Sequence, residues 1–142
     1  IKFSTGNGIL VGANLGRARK LIKSYVEAAK SHIPGGLKGM ELYVIGYSNP
    51  PRDIGNIKAK NANKALSLQR AHIVANLVRE ISPSADLELV VDGRGDANPI
   101  PRSDQSVGLC GRFDCELSRR VEVYWGVRGS HKNPEEQPQH EL

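Results

Sequence analysis

Three groups of side chains in this sequence call for a chemical explanation: Arg70, the tandem pair Arg119 and Arg120, and the polar run that holds Ser48, Asn49 and Asp53. Helical spacing puts Arg70 one turn after Leu66 and one turn before Ile73 and Val74, inside a stripe that is otherwise apolar. A cation there has three explanations: its stem packs while the guanidinium escapes at an edge, it sits in a structural ion pair, or it faces a site that takes an anion. Strand alternation places Arg119 on the side of Val121, Val123 and Trp125, which turns one arginine of the pair toward the layered side. Tandem basic residues also flank strands simply as a guard against edge pairing. Ser48, Asn49 and Asp53 follow a buried strand, and loops in that position often meet ligands. If the three groups converge, their chemistry is anion recognition.

Catalysis is poorly supplied. His32, His72, His131 and His140 are scattered, and Ser67 has no nucleophile-elbow motif around it, so the chain is not expected to be an enzyme. Cys110 and Cys115 lie in Cys-Gly-Arg-Phe-Asp-Cys, where the glycine would help a small disulfide loop to close in an oxidising compartment. The alternative is a pair of reduced thiols. A structural zinc site needs about four protein ligands, and no histidine is near these cysteines in sequence, so no metal or cofactor is expected. The formal charge of +5 favours acidic partners in general. Aromatic residues are only 5%, too few for a nucleic-acid stacking platform, and the basic residues form no block, which argues against nucleic acid.

The elements that must position these residues follow from periodicity. Leu15, Ala18, Leu21, Ile22, Tyr25, Val26 and Ala29 form one helical stripe, with Asn14 able to cap its start and Pro34-Gly35-Gly36 ending it. Met40 to Ile45 is a short apolar run closing on Gly46, a buried strand. Prolines and a glycine make 47–60 a loop, and a second helix is expected from about Asn61–Asn63 to Ile81, with Leu66, Ile73, Val74, Leu77 and Ile81 as its core face. Leu87, Leu89 and Val91 alternate as a strand, Val121, Val123 and Trp125 as another, and Ile1 to Phe3 reads as the stub of a first one. The composition of 128–142 cannot repay the entropy of ordering, so it reads as a flexible polar tail after a domain at 1–127. The chain starts at Ile1 without methionine or leader, as expected of a piece of a longer precursor, and any membrane attachment is expected through a segment not in this chain. The order β-α-β-α-β-β implies a two-layer α+β sandwich, two helices on one face of a mixed four-stranded sheet.

The string Asn63-Lys-Ala-Leu66-Ser67-Leu-Gln-Arg70-Ala71, followed by Val74, resembles the N-x-x-L-S-x-x-R-A-x-x-V signature of OmpA-like domains. Ahead of it, Val44-Ile-Gly46-Tyr47-Ser48-Asn49 resembles that family's strand ending in G-H-T-D. Behind it, Gly93-Arg-Gly95-Asp-Ala-Asn-Pro99 resembles G-x-G-x-x-x-P, and Ser118-Arg119-Arg120-Val121-Glu122-Val123 resembles N-R-R-V-E-I. Arg94-Gly95-Asp96 spells an adhesion tripeptide only by falling within that turn.

The resemblance implies a bacterial periplasmic module that grips peptidoglycan through its stem peptide, taking the zwitterionic end of diaminopimelate. It gives Arg70 the carboxylate and assigns a pocket to Tyr47, Ser48, Asn49, Leu66, Arg70, Ser118 and Arg119. The family aspartate that takes the ammonium group is Asn49 here, and its histidine is Tyr47. Replacing a charge-assisted bond by a neutral one costs about 1 kcal/mol, with Asp53 a candidate substitute carboxylate. Other cell-envelope proteins are the further expected partners. The competing reading is a protein-interaction module of a secretion or stator-type machine that has lost wall binding.

Overall fold

The computed structural model describes residues 13–32, 39–49, 57–83 and 87–127. The expected strand at Ile1 to Phe3, Asp53 and the expected tail at 128–142 lie outside the described residues. The element order is α1 (Ala13–His32), β1 (Met40–Gly46), α2 (Ile57–Ile81), β2 (Glu88–Gly93), α3 (Cys115–Ser118) and β3 (Val121–Val127). The architecture is α+β. A mixed sheet runs β2-β1-β3, with β1 parallel to β2 and antiparallel to β3, so the described residues hold three strands of the four expected.

Both long helices bury their stripes on one face of this sheet. Ala18, Ile22, Val26 and Ala29 of α1 meet Ala71, Val74, Ala75, Leu77 and Val78 of α2, above Leu42, Val44 and Val121. Lys30 occupies the last turn of α1, where its charge offsets the helix dipole. Alternation sends Leu89, Val91, Val123 and Trp125 to the same cluster.

Four sequence expectations need correction. Helix α1 begins at Ala13, so Asn14 is inside it rather than at its cap. Leu21, placed in the core stripe, is 54% exposed, because it lies on the flank of that stripe where no described element covers it. Helix α2 starts at Ile57 and so takes in four residues, 57–60, of the expected loop: Lys58, Ala59 and Lys60 favour helix, and nothing after Gly55 interrupts it. The short α3 was not anticipated, since four residues leave no periodicity to read.

The face of the sheet opposite the helices is also buried. Tyr43, Ile45, Tyr47 and Tyr124 form a second cluster there, and the Tyr43 and Tyr124 rings stack with centroids 5.0 Å apart. The Arg120 guanidinium lies 4.2 Å from the Tyr47 ring centroid, and Arg94 donates to the Tyr47 hydroxyl at 3.3 Å. The Arg120–Glu122 pair at 3.0 Å balances part of that charge.

Candidate functional site

The site begins with two glycines. Gly46 and Gly93 are register partners at the ends of β1 and β2. A side chain on Gly46 would collide with the Ser67 carbonyl, and one on Gly93 with the Leu68 backbone, so α2 rests directly on the strand ends. Ser67 locks the crossing: its Oγ donates to the Lys64 carbonyl at 2.7 Å and accepts the Gly95 N–H at 2.9 Å. Gly95, at φ 58°, takes a left-handed backbone that favours glycine, and its carbonyl accepts the Ser48 N–H at 2.8 Å. Strand end, helix and turn are therefore fixed to one another.

Arg70 follows Ser67 by about one helical turn and is fully buried, with 0% exposure. Burial, and after it the nearby Arg119 charge, lowers its pKa from the ordinary arginine range. The Arg119 charge is felt at Arg70, so an anion that meets both guanidiniums is electrostatically favoured. Arg119 is delivered by α3. Ser118 is fully buried, its Oγ accepts the Ile100 N–H at 3.0 Å, and its N–H donates to the Asp114 carbonyl at 3.0 Å. The Arg119 N–H donates to the Cys115 carbonyl at 3.3 Å.

Past the end of β1, Ser48 is buried and its Oγ finds no hydrogen-bond partner among the described residues. Asn49 is half-buried: its Nδ2 donates to Cys110 Sγ at 3.6 Å, while Asn63 Nδ2 donates to the Asn49 carbonyl at 3.4 Å. Cys110 and Cys115 form a disulfide, which decides between the two readings left open by the sequence. The bridge joins both parts of the site, since Cys110 meets Asn49 and the Cys115 carbonyl holds Arg119. Leu66 is half-buried on α2 between Asn63 and Arg70.

Tyr47 is not brought to this group. Its fully buried ring belongs to the opposite face, with Arg94 and Arg120. Asn63, Ser67 and Gly95 stand in the motifs but act as fasteners rather than ligand contacts, a role that residue type and spacing do not signal. The Asn49–Cys110 contact spans 61 residues and left no local signal.

A hollow of about 710 Å³ lies elsewhere, between α1 and β3, lined by Tyr25, Val26, Leu42, Val121 and Val123 among others. Tyr25, one of its lining residues, approaches Trp125 to 5.7 Å between ring centroids. Burial, opposed by a hydrogen bond to the Trp125 backbone, pushes the Tyr25 hydroxyl up to about 12. None of the Arg70, Arg119 and Asn49 group lines this hollow. Among the described residues no group of three or more His, Cys, Asp and Glu side chains could hold a metal ion, and no helix is long and apolar enough to cross a membrane.

No family model and no curated protein sequence matches the chain. Solved structures do. The peptidoglycan-associated lipoprotein of Burkholderia pseudomallei superposes with a TM-score of 0.59 at 16% identity, over 89% of this chain and 88% of that one. The OmpA-like domain of FopA1 from Francisella tularensis gives 0.59 at 20% identity, over 89% and 70%. The cell wall anchor of the type VI secretion system of Pseudomonas aeruginosa gives 0.53 at 22% identity, over 88% and 73%. The chain has the OmpA-like fold.

Proposed function

We propose that this domain binds peptidoglycan noncovalently through its stem peptide and so anchors a cell-envelope protein or complex to the wall, in the periplasm. The observation that carries the reading is the pair Arg70 and Arg119: a fully buried guanidinium on α2 whose charge is opposed by a second one, at the end of the central strand. A carboxylate is the group such a pair favours, because a planar guanidinium can hold it through two parallel charge-assisted hydrogen bonds. Similarity to structures described as a peptidoglycan-associated lipoprotein and a cell wall anchor supports the same ligand.

In this reading Arg70 takes the carboxylate of a diaminopimelate-type stem peptide, Arg119 and Ser118 border it, and Ser48 and Asn49 meet the ammonium side, with Leu66 as an apolar wall. Asn49 makes the pocket weaker for that ammonium than an aspartate would. We take the binding module as 1–127, with the polar segment 128–142 after it. The test is retention on purified sacculi. The chain should be held saturably and the Arg70→Ala variant released, by about 2 kcal/mol or more for a lost charge-assisted contact. Equal retention of the two would end the proposal, and a partner protein captured equally by both would instead support an interaction module.

A further inference from the structure

The amide of Asn49 has a donor end and an acceptor end, and an ammonium group can use only the acceptor. What decides which end faces the ligand is the contact on its other side. Asn49 Nδ2 donates to Cys110 Sγ at 3.6 Å, and Asn63 engages the Asn49 backbone carbonyl rather than its side chain. Cys110 is bonded to Cys115 and is nearly buried, at 9% exposure. A sulfur in a disulfide carries no proton, so it accepts hydrogen bonds and never donates; a free thiol does both. With Oδ1 turned to that sulfur, lone pairs would oppose lone pairs and the amide hydrogens would lose their partner.

We propose that the Cys110–Cys115 disulfide is a positioning element of the binding site: as an acceptor-only neighbour it holds Asn49 with Nδ2 inward, so that Oδ1 is presented to the ammonium of a zwitterionic ligand. This rests on the stem-peptide reading above. It also assigns the disulfide a role that loop stapling alone does not give it. The bridge makes a neutral residue a one-sided acceptor, as a carboxylate is by nature. Without it the amide can rotate and offer hydrogens to a cation that has only hydrogens of its own.

The test compares binding of a diaminopimelate-containing muropeptide by four forms of the whole chain: native, Cys110→Ala with Cys115→Ala, Asn49→Asp, and all three changes together. In the native background, loss of the bridge should weaken binding by roughly three- to tenfold, the size of one neutral hydrogen bond. In the Asn49→Asp background the loss should shrink to under about twofold, because either carboxylate oxygen accepts. Equal losses in both backgrounds would overturn the inference and reduce the bridge to a staple, while leaving stem-peptide binding intact. No loss in the native background would overturn it as well. If neither the native chain nor Asn49→Asp binds the muropeptide, the stem-peptide reading falls and takes this one with it.

A readout on the intact chain needs no variant that must fold without its bridge. In nuclear magnetic resonance spectra, the Asn49 side-chain amide hydrogens should show contacts to the Cys110 β-hydrogens with and without muropeptide. Contacts from those amide hydrogens to the ligand instead would refute the orientation.

Discussion

Arginine and lysine are both cations, yet position 70 should distinguish them sharply. Arg70 is fully buried, and burial together with Arg119 lowers its pKa. An arginine starts so high that it keeps its proton under these pressures, whereas a lysine starts at about 10.4 and is readily shifted when buried. The Arg70→Lys variant should therefore bind sacculi more weakly at neutral pH, by roughly 1–2 kcal/mol for the lost second hydrogen bond. Its charge is lost as pH rises through a lowered value, so its remaining affinity should fall between about pH 7 and pH 10. The ligand's own ammonium titrates over the same range for both proteins, so the native chain should fall less steeply than the variant. Retention assays across the range check this, and parallel curves for the two proteins would contradict it. That Arg70 needed an explanation was legible from its place in an apolar stripe, because helical period alone set it there. That Arg119 bears on it was half legible: alternation gave the side of the sheet, but not that the charge would be felt at Arg70.

At the scale of elements, the position of Arg70 depends on how closely α2 sits on the sheet, and that is set by two residues without side chains. A methyl group on Gly46 would strike the Ser67 carbonyl, and one on Gly93 the Leu68 backbone. Backbone cannot rotate aside as a flexible side chain can, so Gly46→Ala and Gly93→Ala should each cost at least the ~1–3 kcal/mol of ordinary overpacking. Gly16 is the control. It lies within α1 with nothing inside 4 Å of where a side chain would be, so Gly16→Ala should add about 0.5–1 kcal/mol through helix propensity. Thermal melts should thus move in opposite directions; a fall for Gly16→Ala or no change for Gly46→Ala would refute this account of the crossing. The glycines were visible in the motifs, but a motif does not say which backbone presses on them. Leu21 shows the same limit from the other side: its spacing is that of a core residue, and only the neighbouring elements decide that the flank of the stripe stays open. Tyr47 shows it again, since strand alternation continues past Gly46 and carries the ring to the opposite face, where reading the segment as loop gave no reason to expect it.

For the whole molecule, a net charge of +5 creates a second route to any acidic polymer, and sacculi carry carboxylates. Exposed cations such as Arg17, Lys20 and Lys58 can hold the chain near such a surface without any pocket. The two routes separate by screening. Charges at the surface act through water, where the screening length is about 10 Å at 0.1 M salt and ~3 Å at 1 M, while a fully buried guanidinium meeting its ligand directly is screened far less. Retention of the native chain should therefore fall with salt to a plateau, whereas retention of Arg70→Ala should fall to background. The difference between the two curves should persist at about 1 M salt, because it reports the buried contact alone. If that difference vanishes along with the rest, attraction to the wall is a property of the surface charge as a whole, and the proposed site at α2, α3 and the end of β1 contributes nothing to it.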